Sequence, residues 1–384
     1  MRILIAPDKF KGSLGAREVA DCIAAGLRDA LPDATIEILP VADGGEGTVD
    51  VISQACVGEW VDCEAHDALG RAITARYLWL RDKMIAVMEM SEAAGMWRIA
   101  SHERDPLRAN TFGVGEMMKN AASRGAKEIL IGLGGSATND GGFGMARALG
   151  FRFYGIEHPP PRSYGVAGEQ ELERPGELVK LTRIVRDGAM IANLPRIIAA
   201  ADVRNPLLGE RGATRTFGPQ KGGTPEQLEI LERALARLAD VVARDLSCDF
   251  REASGAGAAG GLGFGLMSFC GGEVRPGFDL VAEFIDLEAA IQGADVVITG
   301  EGKLDRQTLE GKAPAGVARL AHKNGKRVYA IAGAATADRT VIEIFDGVLA
   351  LMTPPVTREE AMTRAKELLR ERGRELGATL QRGP

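Results

Sequence analysis

The chain has 384 residues, enough for two domains with separate cores, and its 45% apolar, 26% charged and 5% aromatic content is that of a globular protein. A formal net charge of −6 argues against nucleic acid or an anionic membrane surface as the main partner. Five cysteines, an odd number with no C-x-x-C spacing, argue against a disulfide framework or a zinc site.

"RILIAP" reads as a buried strand entered at once. No basic segment with an apolar stretch precedes it, so a cytoplasmic location is expected. "AREVADCIAAGLRDALPD" follows, with Val19, Ile23 and Leu27 on one helical face. "TIEILPVADGG" is a second strand running into an acidic, glycine-rich loop. The stretch beginning "EWVDCEAHDALG" alternates as strands do, with turn signals at Leu69-Gly70 and Arg81-Asp82, and predicts antiparallel hairpins. "ILIGLGGSATNDGGFGMARALG" sets a short apolar strand against glycines and small polar residues, and "HPPPRSYG" is a loop by its prolines. Near the C-terminus "ADVVITGEGKLD" is strand then loop, "GVARLAHKNG" a helix closed by Gly325, and "RVYAIAG" and "DGVLALMT" two further strands. "TREEAMTRAKELLRERGREL" is the final helix. No apolar run reaches the length of a bilayer span.

Such alternation implies parallel strands covered by helices. The expected fold class is α/β with two α/β domains. A Rossmann-like parallel-sheet domain is built from both chain ends, 1–45 plus 290–384. An inserted domain with mixed or antiparallel strands occupies 46–289, and the active site is expected in the cleft.

Ligands of parallel α/β sheets gather at the carboxyl ends of the strands. Here those ends read "APDKFKGS", "VADGGEGT", "IGLGGSATNDGG", "AADVRNPL" and "ITGEGKLD". A single Asp after a strand is ordinarily a turn or a helix cap. Five loops of one composition point instead to a shared ligand.

"GLGGSA" fits a dinucleotide fingerprint, with Glu157 roughly twenty residues on, but "TNDGG" breaks the helix that should begin at its second glycine. Gly311-Lys312 is not a Walker A end, because Ala313 follows where Ser or Thr is required. The four histidines, His66, His102, His158 and His322, fall outside all the glycine loops. What remains is Asp, Lys, Asn and backbone N–H groups. Phosphoryl transfer asks for this set, so the residues favour a kinase of a small hydroxylated acid or sugar.

At these residues the chain resembles a known family. "APDKFKGSLGAREVADCIAAGL", "PVADGGEGTVD", "IGLGGSATNDGGFGMARALG", "DVRNPLLGERGATRTFGPQKG", "GAGAAGGLGFG" and "VITGEGKLDRQTLEGKAP" are similar, in this order, to the motifs of the type I glycerate kinases. The resemblance implies transfer of the γ-phosphoryl of ATP to glycerate with Mg²⁺, giving 2-phosphoglycerate. Two departures stand out: Lys9 occupies a position where many members carry Ser, and the segment from Gly155 to Leu194 matches weakly. The alternatives are an NAD(P)-dependent dehydrogenase and a non-catalytic small-anion binding protein. Thermal stabilisation by MgATP supports the kinase, and by NAD(H) the alternative class.

Asp43 and Asp202 end strands assigned to different domains, so closure would bring both to one substrate. One would orient or deprotonate the glycerate hydroxyl and the other hold Mg²⁺. The residues leave the assignment open, and Asn205 beside Asp202 favours Asp202 as base. Gly134, Gly135 and Ser136 would present N–H groups to a phosphate or to the glycerate carboxylate, with Asn139 and Asp140 closing the turn. Lys11, counted with the catalytic residues, and Lys303 would supply positive charge. Asp8, Ser13, Gly44, Gly45, Glu46, Glu301 and Asp305 complete the expected substrate- and phosphate-binding set. The expected partners are glycerate and ATP, without nucleic acid or membrane, on a monomer or homodimer.

Overall fold

Ile3 and Ile5 alternate with Leu4 along the first strand, and all three are buried, so this strand is covered on both faces. A computed structural model describes residues 1–156, 168–186 and 194–382 of the protein. Glu157, His158 and the "HPPPRSYG" stretch lie outside the described residues. The chain forms two compact units, Met1–Cys56 with Pro276–Pro384 and Val57–Arg275. The first extends past the expected 1–45 and 290–384, taking in the helices Thr48–Ala55, Gly277–Phe284 and Leu287–Gly293.

Strands β1 (Arg2–Ile5) and β2 (Thr35–Ile38) open the chain. The second unit carries β3 (Glu59–His66), β4 (Ala72–Leu80), β5 (Ile85–Glu89), β6 (Glu128–Gly132), β7 (Phe151–Gly155), β8 (Gln170–Glu171), β9 (Leu181–Arg186), β10 (Arg196–Ala200) and β11 (Glu273–Arg275). The chain returns with β12 (Val296–Thr299), β13 (Lys303–Leu304), β14 (Arg327–Ala332), β15 (Ala334–Ala335) and β16 (Gly347–Ala350).

The first unit has an all-parallel sheet in the order β16-β14-β12-β1-β2. Counted within the unit this is the doubly wound order 2-1-3-4-5, whose switch point lies between β1 and β12. Ile3 and Ile5 pack with Val19, Ile23 and Leu27 of the helix Ala16–Ala30 and with Leu369 and Leu376 of the helix Ala365–Gln381. These helices touch backbone to backbone. A Cβ at Gly26 would stand 1.9 Å from Arg370 O and one at Gly373 2.5 Å from Ile23 O. The expected last helix is interrupted at Arg364, whose φ and ψ of −101° and 18° depart from helical values.

The second unit is built on a six-stranded sheet, β11-β10-β6-β5-β4-β3. Its first four strands are parallel and its last two join antiparallel. Both hairpins turn at the signalled places, Asp67 N donating to Arg71 O at 2.8 Å in one and Arg81–Lys83 forming a 3₁₀ turn in the other. Val61, Cys63 and Ala65 alternate inward along β3 toward a core that holds Tyr77, Phe143, Phe153 and Phe264. Strands β7, β8 and β9 form a small separate sheet. All five cysteines are free, and among the described residues no helix is long and apolar enough to cross a membrane.

Candidate active site

In the first unit, Asp8, Asp43 and Glu301 follow the carboxyl ends of β1, β2 and β12, three adjacent strands at the switch point. Asp8 is buried, and desolvation followed by the nearby Asp43 charge pushes its pKa up to about 8. Its Oδ1 accepts from Lys9 N at 2.6 Å. Asp43 is half-buried, and its Oδ1 accepts from Gly45 N at 3.1 Å. Gly44, with φ 84°, turns the chain between them. Glu301 is buried, which raises its pKa, while Lys312 and Thr308 act against that rise. Thr308 Oγ1 donates to Glu301 Oε1 at 2.7 Å, and Lys312 Nζ lies 3.5 Å from Oε2.

Of the other candidates in this unit, Ser13, Lys303 and Asp305 make local contacts. Lys9 Nζ donates to the carbonyl of the exposed Glu46. Lys11 is exposed, and Ser13 Oγ donates to Met362 O at 3.3 Å. Lys303, 70% exposed, pairs with Asp305 Oδ2 at 3.0 Å, and that lysine holds the Asp305 carboxyl below its usual range. Asp305 also caps the turn Arg306–Glu310 by accepting from Gln307 N at 3.0 Å.

In the second unit the loop after β6 carries the glycine-rich stretch expected to cradle an anion. Leu133 N donates to Ala200 O and Ala137 N to Ala94 O, at 3.1 and 2.8 Å. Among the described residues, nothing accepts from the three N–H groups between them, those of Gly134, Gly135 and Ser136. Gly135 is exposed with φ +73°, a left-handed value that glycine adopts without strain. The helix that follows begins only at Phe143, so the dinucleotide geometry is absent.

Asp140 is fully enclosed. Its Oδ2 accepts from Thr111 N, Thr111 Oγ1 and Gly144 N, and its Oδ1 from Gly142 N. Burial raises its pKa and these four donors oppose the rise. It therefore holds the loop from inside, and its carboxylate is not turned to a ligand. Asn139 is enclosed too, with Nδ2 donating to Thr214 Oγ1 at 2.9 Å. Asp202 is half-buried after β10, and Asn205 Nδ2 donates to Arg211 O at 2.6 Å and to Thr216 Oγ1 at 3.4 Å.

Two lysines escaped the sequence reading. Lys312 belongs to no Walker A loop, yet it reaches Glu301. Lys221 is buried behind the cradle and donates to Ser136 Oγ at 2.8 Å and Thr138 O at 2.6 Å. A lysine set between glycines in "GPQKGG" was the available signal. Among the described histidines, His66 pairs with Glu116 at 3.0 Å, and His102 and His322 are exposed.

Among the described residues no three His, Cys, Asp or Glu side chains converge to cage a metal ion. Mg²⁺ does not need such a cage, since it is usually held by one or two carboxylates together with substrate phosphates. The all-oxygen donors at Asp8 and Asp43 fit that use.

Carboxylates at strand ends, unengaged loop amides and lysines among them are the equipment of a phosphoryl-transfer enzyme. The profile of the glycerate kinase family matches residues 3–381. The chain is 38% identical over 385 residues to a glycerate kinase of Bacillus subtilis, covering 99% of this chain and 98% of that one. It is 39% identical over 386 residues to a glycerate 2-kinase of Escherichia coli K12, covering 100% and 99%. A crystal structure from Salmonella typhimurium LT2, named for glycerate kinase 2, superposes with a TM-score of 0.84 at 42% identity, covering 100% of this chain and 99% of that one. This chain belongs to the glycerate kinase family.

Proposed function

We propose that this protein transfers the γ-phosphoryl group of ATP to the C2 hydroxyl of glycerate, with Mg²⁺, giving 2-phosphoglycerate. The observation that carries the reading is the cradle of Gly134, Gly135 and Ser136, three consecutive N–H groups with no acceptor among the described residues. Such a cradle suits a carboxylate or a phosphate, and glycerate and ATP bring both. The relative from Escherichia coli named a glycerate 2-kinase supports the choice of C2.

The roles follow from charge. Asp43 stands with Asp8 and Glu301, and their mutual repulsion is relieved by a cation, so Asp43 is the residue that helps hold Mg²⁺. When bound, the ion supplies charge neutralisation on the phosphates. Asp202 orients the glycerate C2 hydroxyl and accepts its proton as the oxygen attacks the γ-phosphorus. The amides of Gly134 and Gly135 fix the anion, which aligns one hydroxyl and leaves the other out of line. The enzyme works in the cytoplasm, where ATP is supplied, as a monomer or homodimer.

The test is an ADP-release assay. Release should require glycerate and Mg²⁺ together, and MgATP rather than NAD(H) should raise the melting temperature. ADP release indifferent to glycerate would refute the proposal.

A further inference from the structure

Lys221 ends the turn Pro219–Lys221, and its side chain is enclosed at 2% exposure. Two of its three N–H donors go to one loop, to Ser136 Oγ and to Thr138 O. That loop has hydrogen-bonding capacity to spare. Thr138 Oγ1 and Asn139 Oδ1 are buried without a partner among the described residues. The lysine thus serves two particular atoms of this loop while two others stay unmet.

A hydroxyl carries one hydrogen and two lone pairs. An ammonium has no lone pair, so while Lys221 donates to Ser136 Oγ, the serine hydrogen cannot point back at it. Ser136 adjoins Gly135, the exposed residue of the cradle. We propose that Lys221 is a positioning residue for anion binding, holding the Ser136 hydroxyl outward as a further donor beside the N–H groups of Gly134 and Gly135. The inference rests on the function proposed above and deepens it. The shared chemistry is an anionic oxygen, from the glycerate carboxylate or from a phosphate of ATP. Lys221 does not reach that oxygen; it acts through Ser136 and through its charge.

The arrangement is sensitive to protonation. A neutral amine gains a lone pair, draws the serine hydrogen inward and removes the charge behind the cradle. Burial brings the Lys221 pKa down to about 7, with the Asp140 carboxylate opposing the shift. Among the described residues, two arginines lie on segments next to the Lys221 turn. Arg104 donates to Gln220 O, and Arg215 of the helix Ala213–Phe217 pairs with Glu229. Since the anion favours the ammonium, affinity is full below about pH 7 and falls as pH rises through the lysine pKa.

The experiment measures KM for glycerate and for ATP from about pH 6 to about pH 9. It compares the native chain with Lys221→Met, Lys221→Arg, Ser136→Ala and the double variant Ser136→Ala/Lys221→Met, with melting temperatures alongside. In the native chain the KM of one substrate should rise with pH. It is the glycerate KM if the loop takes the carboxylate, and the ATP KM if it takes a phosphate. Lys221→Met and Ser136→Ala should each raise that KM by about tenfold or more, and the double variant no further than Lys221→Met. Lys221→Arg keeps the charge and should lose the pH-dependent rise. A native KM flat with pH, effects that multiply in the double variant, or a lower melting temperature with unmoved KM values would each overturn the proposal. The native chain alone keeps it testable if Lys221→Met does not fold. Native turnover of glycerate tests the function separately, so the two failures are distinguishable.

Discussion

Thr111 grips the Asp140 carboxylate twice, its N–H at 2.9 Å and its hydroxyl at 2.8 Å, both on Oδ2. The same hydroxyl oxygen accepts from Met145 N at 2.9 Å, so one threonine ties the cradle loop to the helix behind it. Asp140→Ala leaves four donors without their acceptor and should cost about 3–5 kcal/mol in urea unfolding. Thr111→Val should cost about 2 kcal/mol, and Thr111→Ser much less because the hydroxyl is kept. A loss below about 1 kcal/mol for Asp140→Ala would contradict this structural role.

Asp8 predicts a pH dependence of stability. Its folded pKa of about 8 lies far above the unfolded carboxyl value near about 4. The unfolded chain therefore releases this proton first as pH rises. The contribution of neutral Asp8 is complete below about pH 4 and is lost progressively up to about pH 8. Asp8→Asn removes the ionisation, so its melting temperature should gain on the native protein between those limits. Parallel melting curves of the two proteins across that range would contradict the assignment.

Asp43→Asn and Asp202→Asn should each lower kcat by on the order of 10²-fold or more with melting temperatures unchanged. The two should differ in metal response. Asp43→Asn raises the Mg²⁺ concentration needed for half-maximal rate, and Asp202→Asn leaves it near the native value. Near-native turnover in both variants would remove these residues from the chemistry, and the opposite metal response would exchange their roles.

Gly135 tests the cradle. With φ +73°, any Cβ is strained there by about 1–2 kcal/mol, and it would also stand 3.3 Å from Ser91 Cβ. Valine adds β-branching to that strain, so alanine separates binding from folding more cleanly. Gly135→Ala should lower the melting temperature by only about 2–8 °C while weakening anion binding by about tenfold or more. Unchanged affinity for both glycerate and ATP would place the anion elsewhere.

The strand ends were legible because Asp8, Asp43 and Asp202 each lie just beyond a run of β-branched and small apolar residues, a pattern that marks strand and exit together. The hairpins were legible for a similar local reason, with glycine and aspartate at their turns. Depth was not legible. Asp140 reads like its neighbours in a polar loop, and only the packed structure turns its carboxylate inward to Thr111. Nor was long-range pairing: Lys221 and Ser136 are 85 residues apart, and no periodicity links a turn lysine to a loop serine. Lys303 had its partner two positions on in Asp305, a local pairing that the motif reading passed over.

In the proposed reaction the hydroxyl phosphorylated is the one on C2 of glycerate. ³¹P NMR of the product of native enzyme, ATP, Mg²⁺ and glycerate tests it most directly. Addition of enolase with no mutase present gives an independent readout. A 2-phosphoglycerate resonance and immediate enolase flux matching ADP release are expected. A 3-phosphoglycerate resonance, or ADP release without enolase flux, would contradict it.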